Sequence, residues 1–309
     1  MIVRNSFIKA LLDEAEKEER IWLLTGDIGF GVLDSFAERF PGRFVNVGVA
    51  EQNMTGIAAG LAITGRIVFT YSIANFPVMR CLEQIRNDVC YHRLNVKICA
   101  VGGGLSYGSL GYSHHGYEDL AVMRALPNMT IVAPGDPLET ALAVRALVRF
   151  PGPAYLRLGK ANEPIVHPQM PEFQLGQAIR MQVGSDLTLA ATGSGLAIAV
   201  KAAQILSRRG TSVDLLSIHT LSPLDALSLE ASIRQTRKII TIEDHGVGGL
   251  GSAVAELVAT SNIQAKLAMV RLRGEPVKRA GSQERLQDQC GLSVENILTQ
   301  AESLLQEKL

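Results

Sequence analysis

The stretch RIVFTYSIANFPVMRCLEQIRNDVCYHRLNVKICAV, Arg66 to Val101, opens on a run of β-branched and aromatic residues, passes through a helical period and closes on a second short apolar run. That order predicts a strand over 66–71, a helix over 76–92 and a strand over 96–101. Two strands bridged by a crossover helix form a βαβ unit, which requires the strands to be parallel. The alternation continues outward on both sides. Upstream it predicts helix 4–19, strands 21–25 and 43–47, and helix 51–64. Downstream come helix 117–125, strand 130–133, helix 136–149 and strand 153–157. Between about 158 and 185 the period fails, and Pro164, Pro168 and Pro171 accumulate with Gly159 and Gly176. A second series follows: strand 186–191, helix 195–208, strand 211–216, a turn at Pro223, strand 237–242, helix 251–260, strand 266–271 and helix 293–307. The expected class is α/β, two doubly wound parallel-sheet domains at 1–160 and 186–309 with a linker at 161–185.

Composition narrows the function. The 309 residues suit two ordinary domains, with 47% hydrophobic residues to build their cores. Thirty Lys plus Arg balance thirty Asp plus Glu, leaving no net field to attract nucleic acid or an anionic membrane. Apolar runs such as Met54 to Thr64 fall short of the roughly 18 residues that span a bilayer. The first segment ends in Asp13, Glu14, Glu16, Glu18 and Glu19, the opposite of a targeting peptide, so a cytoplasmic location is expected. Cys81, Cys90, Cys99 and Cys290 lack CxxC spacing and a nearby histidine pair, and read as reduced, buried thiols with no metal site.

Four loops fall where open α/β sheets hold ligands, beyond the carboxyl ends of strands. GVAEQNMTGIAAGLA, Gly48 to Ala62, leads into a helix of small residues suited to close packing. Glu51 in its first turn fits either a capping carboxylate or a buried one available for proton chemistry. GGGLSYGSLGYSHHGYEDL, Gly102 to Leu120, carries six glycines and the pair His114 and His115. It reads as a substrate-binding loop, a plain surface loop or, least favoured, a metal loop lacking a third ligand. Arg157 ends a strand with Lys160 close behind, placed to grip an anion or to form a surface ion pair. IEDHGVGGLGSA, Ile242 to Ala253, imitates a dinucleotide fingerprint but lacks the acidic residue about 20 positions on, so a tight strand-to-helix turn is preferred.

Together these loops resemble the C-terminal half of transketolase. The resemblance runs over almost the whole chain and is carried by GVAEQNM at Gly48 to Met54, YSIANFPVMRCLEQIRNDV at Tyr71 to Val89, and SHHGYEDLAVMRALPNMTIVAPGD at Ser113 to Asp136. It implies a pyrimidine-binding domain followed by the family's C-terminal domain. It also implies a missing piece. The family's GDG-type motif for magnesium and diphosphate is absent here, where Gly26-Asp27 is followed by Ile28. The chain is therefore expected to be the β-type subunit of a split transketolase. A separate N-terminal-half subunit would hold Mg2+ and the diphosphate of thiamine diphosphate in an α2β2 assembly, and the chain alone would pair as an inactive dimer.

The resemblance implies roles residue by residue. A glutamate at Glu51 would hydrogen-bond the aminopyrimidine ring and favour the imino tautomer that removes the cofactor's C2 proton. His114, rather than His115, would meet the donor sugar, and Arg157 would grip its phosphate, with Arg4, Thr25 and Asp27 nearby. The family's stacking aromatic falls on Ala74, leaving Phe76, or else Tyr71, to take over. A phosphate-contacting histidine becomes Gly102 and a sugar-reading aspartate becomes Leu110, so a non-standard sugar phosphate is expected. The competing readings are the β subunit of a 2-oxo acid dehydrogenase, an enzyme like 1-deoxyxylulose-5-phosphate synthase, and a non-enzymatic regulatory subunit. The double histidine favours ketol transfer.

Overall fold

The computed structural model describes residues 2–160, 163–272 and 275–306. Twelve strands are formed by the described residues: β1 Ile21–Thr25, β2 Phe44–Asn46, β3 Ile67–Ile73, β4 Val96–Val101, β5 Thr130–Val132, β6 Ala154–Leu158, β7 Ile179–Gln182, β8 Leu187–Thr192, β9 Val213–Ser217, β10 Thr220–Ser222, β11 Lys238–Glu243 and β12 Lys266–Arg271. They make two sheets, in the orders β10-β5-β6-β4-β3-β1-β2 and β12-β11-β8-β9-β7. Pairing is parallel except at one edge of each sheet, where β10 runs antiparallel to β5 and β7 antiparallel to β9. The α/β class and its two parallel-dominated sheets match the reading of the sequence.

Three features depart from that reading. Strand β7 lies inside the expected linker, whose residues Val166 and His167 also donate backbone N–H groups to Asp136 Oδ2 at 3.1 and 3.3 Å. Residues 161 and 162 of that linker, and residue 307 of the last expected helix, fall outside the described residues. Strand β10 comes from the second half of the sequence but completes the first sheet, with Thr220 opposite Val132. The helix expected over 76–92 is broken into Asn75–Met79, a short turn at Leu82–Gln84 and π-helical turns at Ile85–Cys90. Helices Ala226–Thr236 and Gln283–Gln289 went unforeseen, each entered through a side-chain cap, Asp225 and Ser282 respectively.

Alternation along β3 sets up the site. Ile67, Phe69 and Tyr71 point to the core shared with Phe7, Leu11 and Leu147, whereas Val68 packs on the opposite face with Met54 and Ala58. By the two-residue period, Ser72 shares a face with Val68, toward the helix Glu51–Ile63. That helix buries Glu51, Met54, Thr55, Ala58, Ala59 and Ala62, a stripe at helical spacing. Gln52, Asn53, Gly56, Gly60 and Ile63 form its outer face, and a methyl group added at Gly56 or Gly60 would meet no atom within 4 Å.

Candidate active site

Glu51 opens its helix without capping it. The carboxylate turns inward, 3% exposed, and accepts hydrogen bonds from Ser72 Oγ at 3.4 Å and Arg80 Nη1 at 3.0 Å. The proton-chemistry alternative for this residue is thus the one whose geometry is present. Arg80 reaches it because the helix at Asn75–Met79 stops, and the same guanidinium lies 4.6 Å from the centre of the Phe76 ring. Phe76 in turn meets His114 edge-on at 5.3 Å, and His114 lies 6.2 Å from the ring of Tyr107. Lys160 Nζ sits 4.4 Å over that tyrosine. Glu51, Arg80, Phe76, His114, Tyr107 and Lys160 therefore form one continuous track of side chains.

The histidine pair divides cleanly. His114 is half-buried on this track, with Nδ1 3.0 Å from Ser113 Oγ, while His115 is 1% exposed and burial holds it below its usual range. Asn75 anchors the loop by donating to the Ser113 carbonyl at 2.9 Å.

Tyr71 does not share the track. Its ring points to the far face of the sheet, 5.7 Å from Phe7, because odd-numbered positions of β3 face that way. Of the two expected stacking aromatics, Phe76 alone lies on the Glu51 side.

Arg157 also departs from expectation. It is 5% exposed and donates to Asp119 in a two-pronged pair, Nε to Oδ2 at 2.8 Å and Nη2 to Oδ1 at 3.1 Å. Its remaining donors go to the carbonyls of Gly116 and Asp244 at 2.8 and 2.9 Å. Burial works against the Asp119 carboxylate, but Arg157 and His245 beside it hold it below the usual range. An arginine so fully engaged has no fork left for a phosphate. It ties the long loop to the second domain. The glycines of that loop permit the approach: a methyl group on Gly104, at φ +63°, would fall 2.1 Å from the Asp244 carboxyl carbon.

Thr25 and Asp27 shape the cleft's other wall. Thr25 Oγ1 donates to the Ile28 and Tyr71 carbonyls at 2.9 and 3.3 Å. Asp27, in left-handed backbone at φ +59°, exchanges hydrogen bonds with Asn46, accepting at Oδ1 (2.9 Å) and donating its N–H (3.0 Å). Arg4 is half-buried behind Tyr107. Burial pushes the Tyr71 and Tyr107 phenols up, and Arg4 opposes that rise at both. Leu110 is 52% exposed.

The second glycine loop is closed by its own chain. Glu243 accepts the N–H groups of Leu250 and Gly251 at 2.6 and 2.8 Å, filling the helix N-terminus where a diphosphate would bind. Burial pushes this carboxyl up to about 7. The tight-turn reading holds.

The residues present fit one end of thiamine diphosphate. Glu51 offers a buried acceptor beside a flat aromatic, Phe76, suited to an aminopyrimidine. No group of three or more His, Cys, Asp or Glu among the described residues could hold a metal ion, and Asp27 is engaged by Asn46. Sequence reasoning passed over Arg80 and Tyr107; a charge 29 residues from Glu51 and a tyrosine in a glycine-rich loop carry no spacing signal.

Residues 1–165 match the transketolase pyrimidine-binding domain, and residues 176–297 the transketolase C-terminal domain. One of the two chains of an apulose-4-phosphate transketolase of Phocaeicola vulgatus is 39% identical over 267 residues, 85% of this chain and 86% of that one. A 6-deoxy-6-sulfo-D-fructose transketolase subunit of a Clostridium species is 34% identical over 308 residues, 99% and 95% of the two chains. Among solved structures, a split-gene transketolase described as an inactive β4 tetramer superposes with a TM-score of 0.90 at 34% identity, covering 99% of this chain and 98% of that one. The chain belongs to the transketolase family. Its fold and extent are those of the β chain of a split transketolase, the transferase half that carries the pyrimidine-binding and C-terminal domains, and the family is dependent on thiamine diphosphate.

Proposed function

We propose that this subunit, joined to a separately encoded N-terminal-half subunit, transfers a two-carbon ketol unit between sugar phosphates of non-standard structure. The observation that carries the proposal is the Glu51 carboxylate, buried to 3% exposure at the blind end of a track that runs through Phe76 and His114. When bound, thiamine diphosphate supplies the carbanion chemistry that the side chains of a protein lack. Glu51 holds a proton at the edge of the pyrimidine, and Phe76 orients that ring by stacking. His114 hydrogen-bonds the donor's carbonyl or hydroxyl end. Lys160 and Arg4, on either side of Tyr107, replace Arg157 as the cations facing the substrate's anionic terminus.

Mg2+ and the diphosphate are assigned to the partner subunit. Phe30, Val49 and Ile63, exposed at 75%, 74% and 70%, lie next to the cleft or on the helix that opens at Glu51, as does the open face at Gly56 and Gly60. Exposed apolar surface of this kind favours burial against another chain. The assembly proposed is α2β2, with self-association of the chain when its partner is absent. A cytoplasmic location is supported by four free, buried cysteines.

The test is reconstitution with the partner subunit and an assay of a ketose phosphate against pyruvate. Turnover of the ketose phosphate, nearly abolished by Glu51→Gln, is expected. Turnover of pyruvate alone would transfer the chain to the decarboxylase reading, and near-normal activity of Glu51→Gln would refute the assigned role.

A further inference from the structure

Arg80 stands apart in the cleft. Its side chain is 51% exposed, yet it pairs with a carboxylate exposed at only 3%. A guanidinium is flat, carries donors along its edge and offers a face to aromatic rings. Arg80 uses both properties at once, with its edge on Glu51 Oε2 at 3.0 Å and its flat group over Phe76 at 4.6 Å. An aminopyrimidine held by the same glutamate and the same phenylalanine would need those two surfaces. Two planar groups cannot occupy one face of Phe76 and one carboxylate oxygen together.

We infer that Arg80 is an internal stand-in for the pyrimidine ring, satisfying Glu51 in the cofactor-free subunit and leaving for solvent when the cofactor enters. The inference rests on the assignment of Glu51 and Phe76 to the pyrimidine. A buried carboxylate stripped of its partner is costly, which gives the cofactor-free form a reason to hold a cation there. A long aliphatic stem lets the charged head move outward without shifting the backbone. Arg80 is thereby a positioning residue that sets cofactor affinity by competing for Glu51.

The experiment measures thiamine diphosphate binding calorimetrically in the reconstituted complex, with Mg2+ present, alongside the melting temperature of each variant. Arg80→Ala is expected to lower Kd roughly tenfold, the scale of one lost charge-assisted hydrogen bond in the competing state. Arg80→Lys should restore a Kd near that of the unaltered protein. Arg80→Gln, which lacks the charge, serves if the alanine variant fails to fold, and carries the same expectation of tighter binding. A merely structural arginine would weaken cofactor binding when removed, so an unchanged or raised Kd in a folded variant overturns the inference. Unaltered binding in Glu51→Gln is a separate failure, since it would remove the pyrimidine assignment itself.

Discussion

The ring of Tyr107 occupies the space that a side chain on Gly102 would fill: a methyl group there would fall 2.1 Å from the ring. Residue 102 is where the family's phosphate-contacting histidine was expected, so a tyrosine from later in the loop has taken the vacated volume. Lys160 over one part of this ring and His114 near it make Tyr107 a divider between the sugar and its anionic end.

Gly102→Ala should therefore push Tyr107 out of the cleft. The residue sits at φ +84°, where a Cβ is strained by about 1–2 kcal/mol even in open space. A higher KM for the phosphorylated sugar, with a smaller change in kcat, is the expected outcome in steady-state kinetics. Unchanged kinetics would show that Tyr107 does not line the path of the substrate.

Arg157→Leu should act on folding before it acts on substrate. Removing one member of a buried ion pair strands the other, at a cost of about 3–5 kcal/mol. Asp119 would be left fully buried with only Tyr155 donating to it, at 2.6 Å, and His245 at 3.7 Å. Urea denaturation of the isolated chain measures the loss. A variant that keeps its stability while losing affinity for phosphate would return Arg157 to the substrate.

Glu243→Gln should flatten the pH dependence of stability between 4.5 and 7. The folded chain holds this proton up to about 7, while the carboxyl ordinarily releases it near 4.5. The contribution is therefore complete below 4.5 and lost as pH rises through 7, by about 3 kcal/mol at most. Unfolding free energies of the variant and the parent across that range should converge at the acid end and separate toward neutrality, with the variant the more stable. Parallel curves would contradict the burial argument.

The residues differ in how much they disclosed beforehand. Parallel strands such as β3 and β4 were legible because hydrophobic runs buried on both faces leave few alternatives. His114 was separable from His115 only through the resemblance, since adjacent positions look alike until the backbone fixes which ring faces inward. Arg157 was misread for a plain reason. A cation at a strand end suits an anion from solvent or one from the chain, and the decisive partner, Asp119, lies 38 residues earlier. Strand β10, three residues long, gives no period to detect. The break in the helix after Met79 was hidden by an apolar pattern that continues through Ile85 and Val89.

Strand β10 has a consequence for how this polypeptide can be handled or recombined. A fragment cut in the proline-rich segment would retain β5 with its outer backbone groups unpaired, an invitation to intermolecular zippering. The two halves are thus stitched into a single cooperative body, and exchanging the terminal module for another would have to preserve the three-residue seam it lends its neighbour.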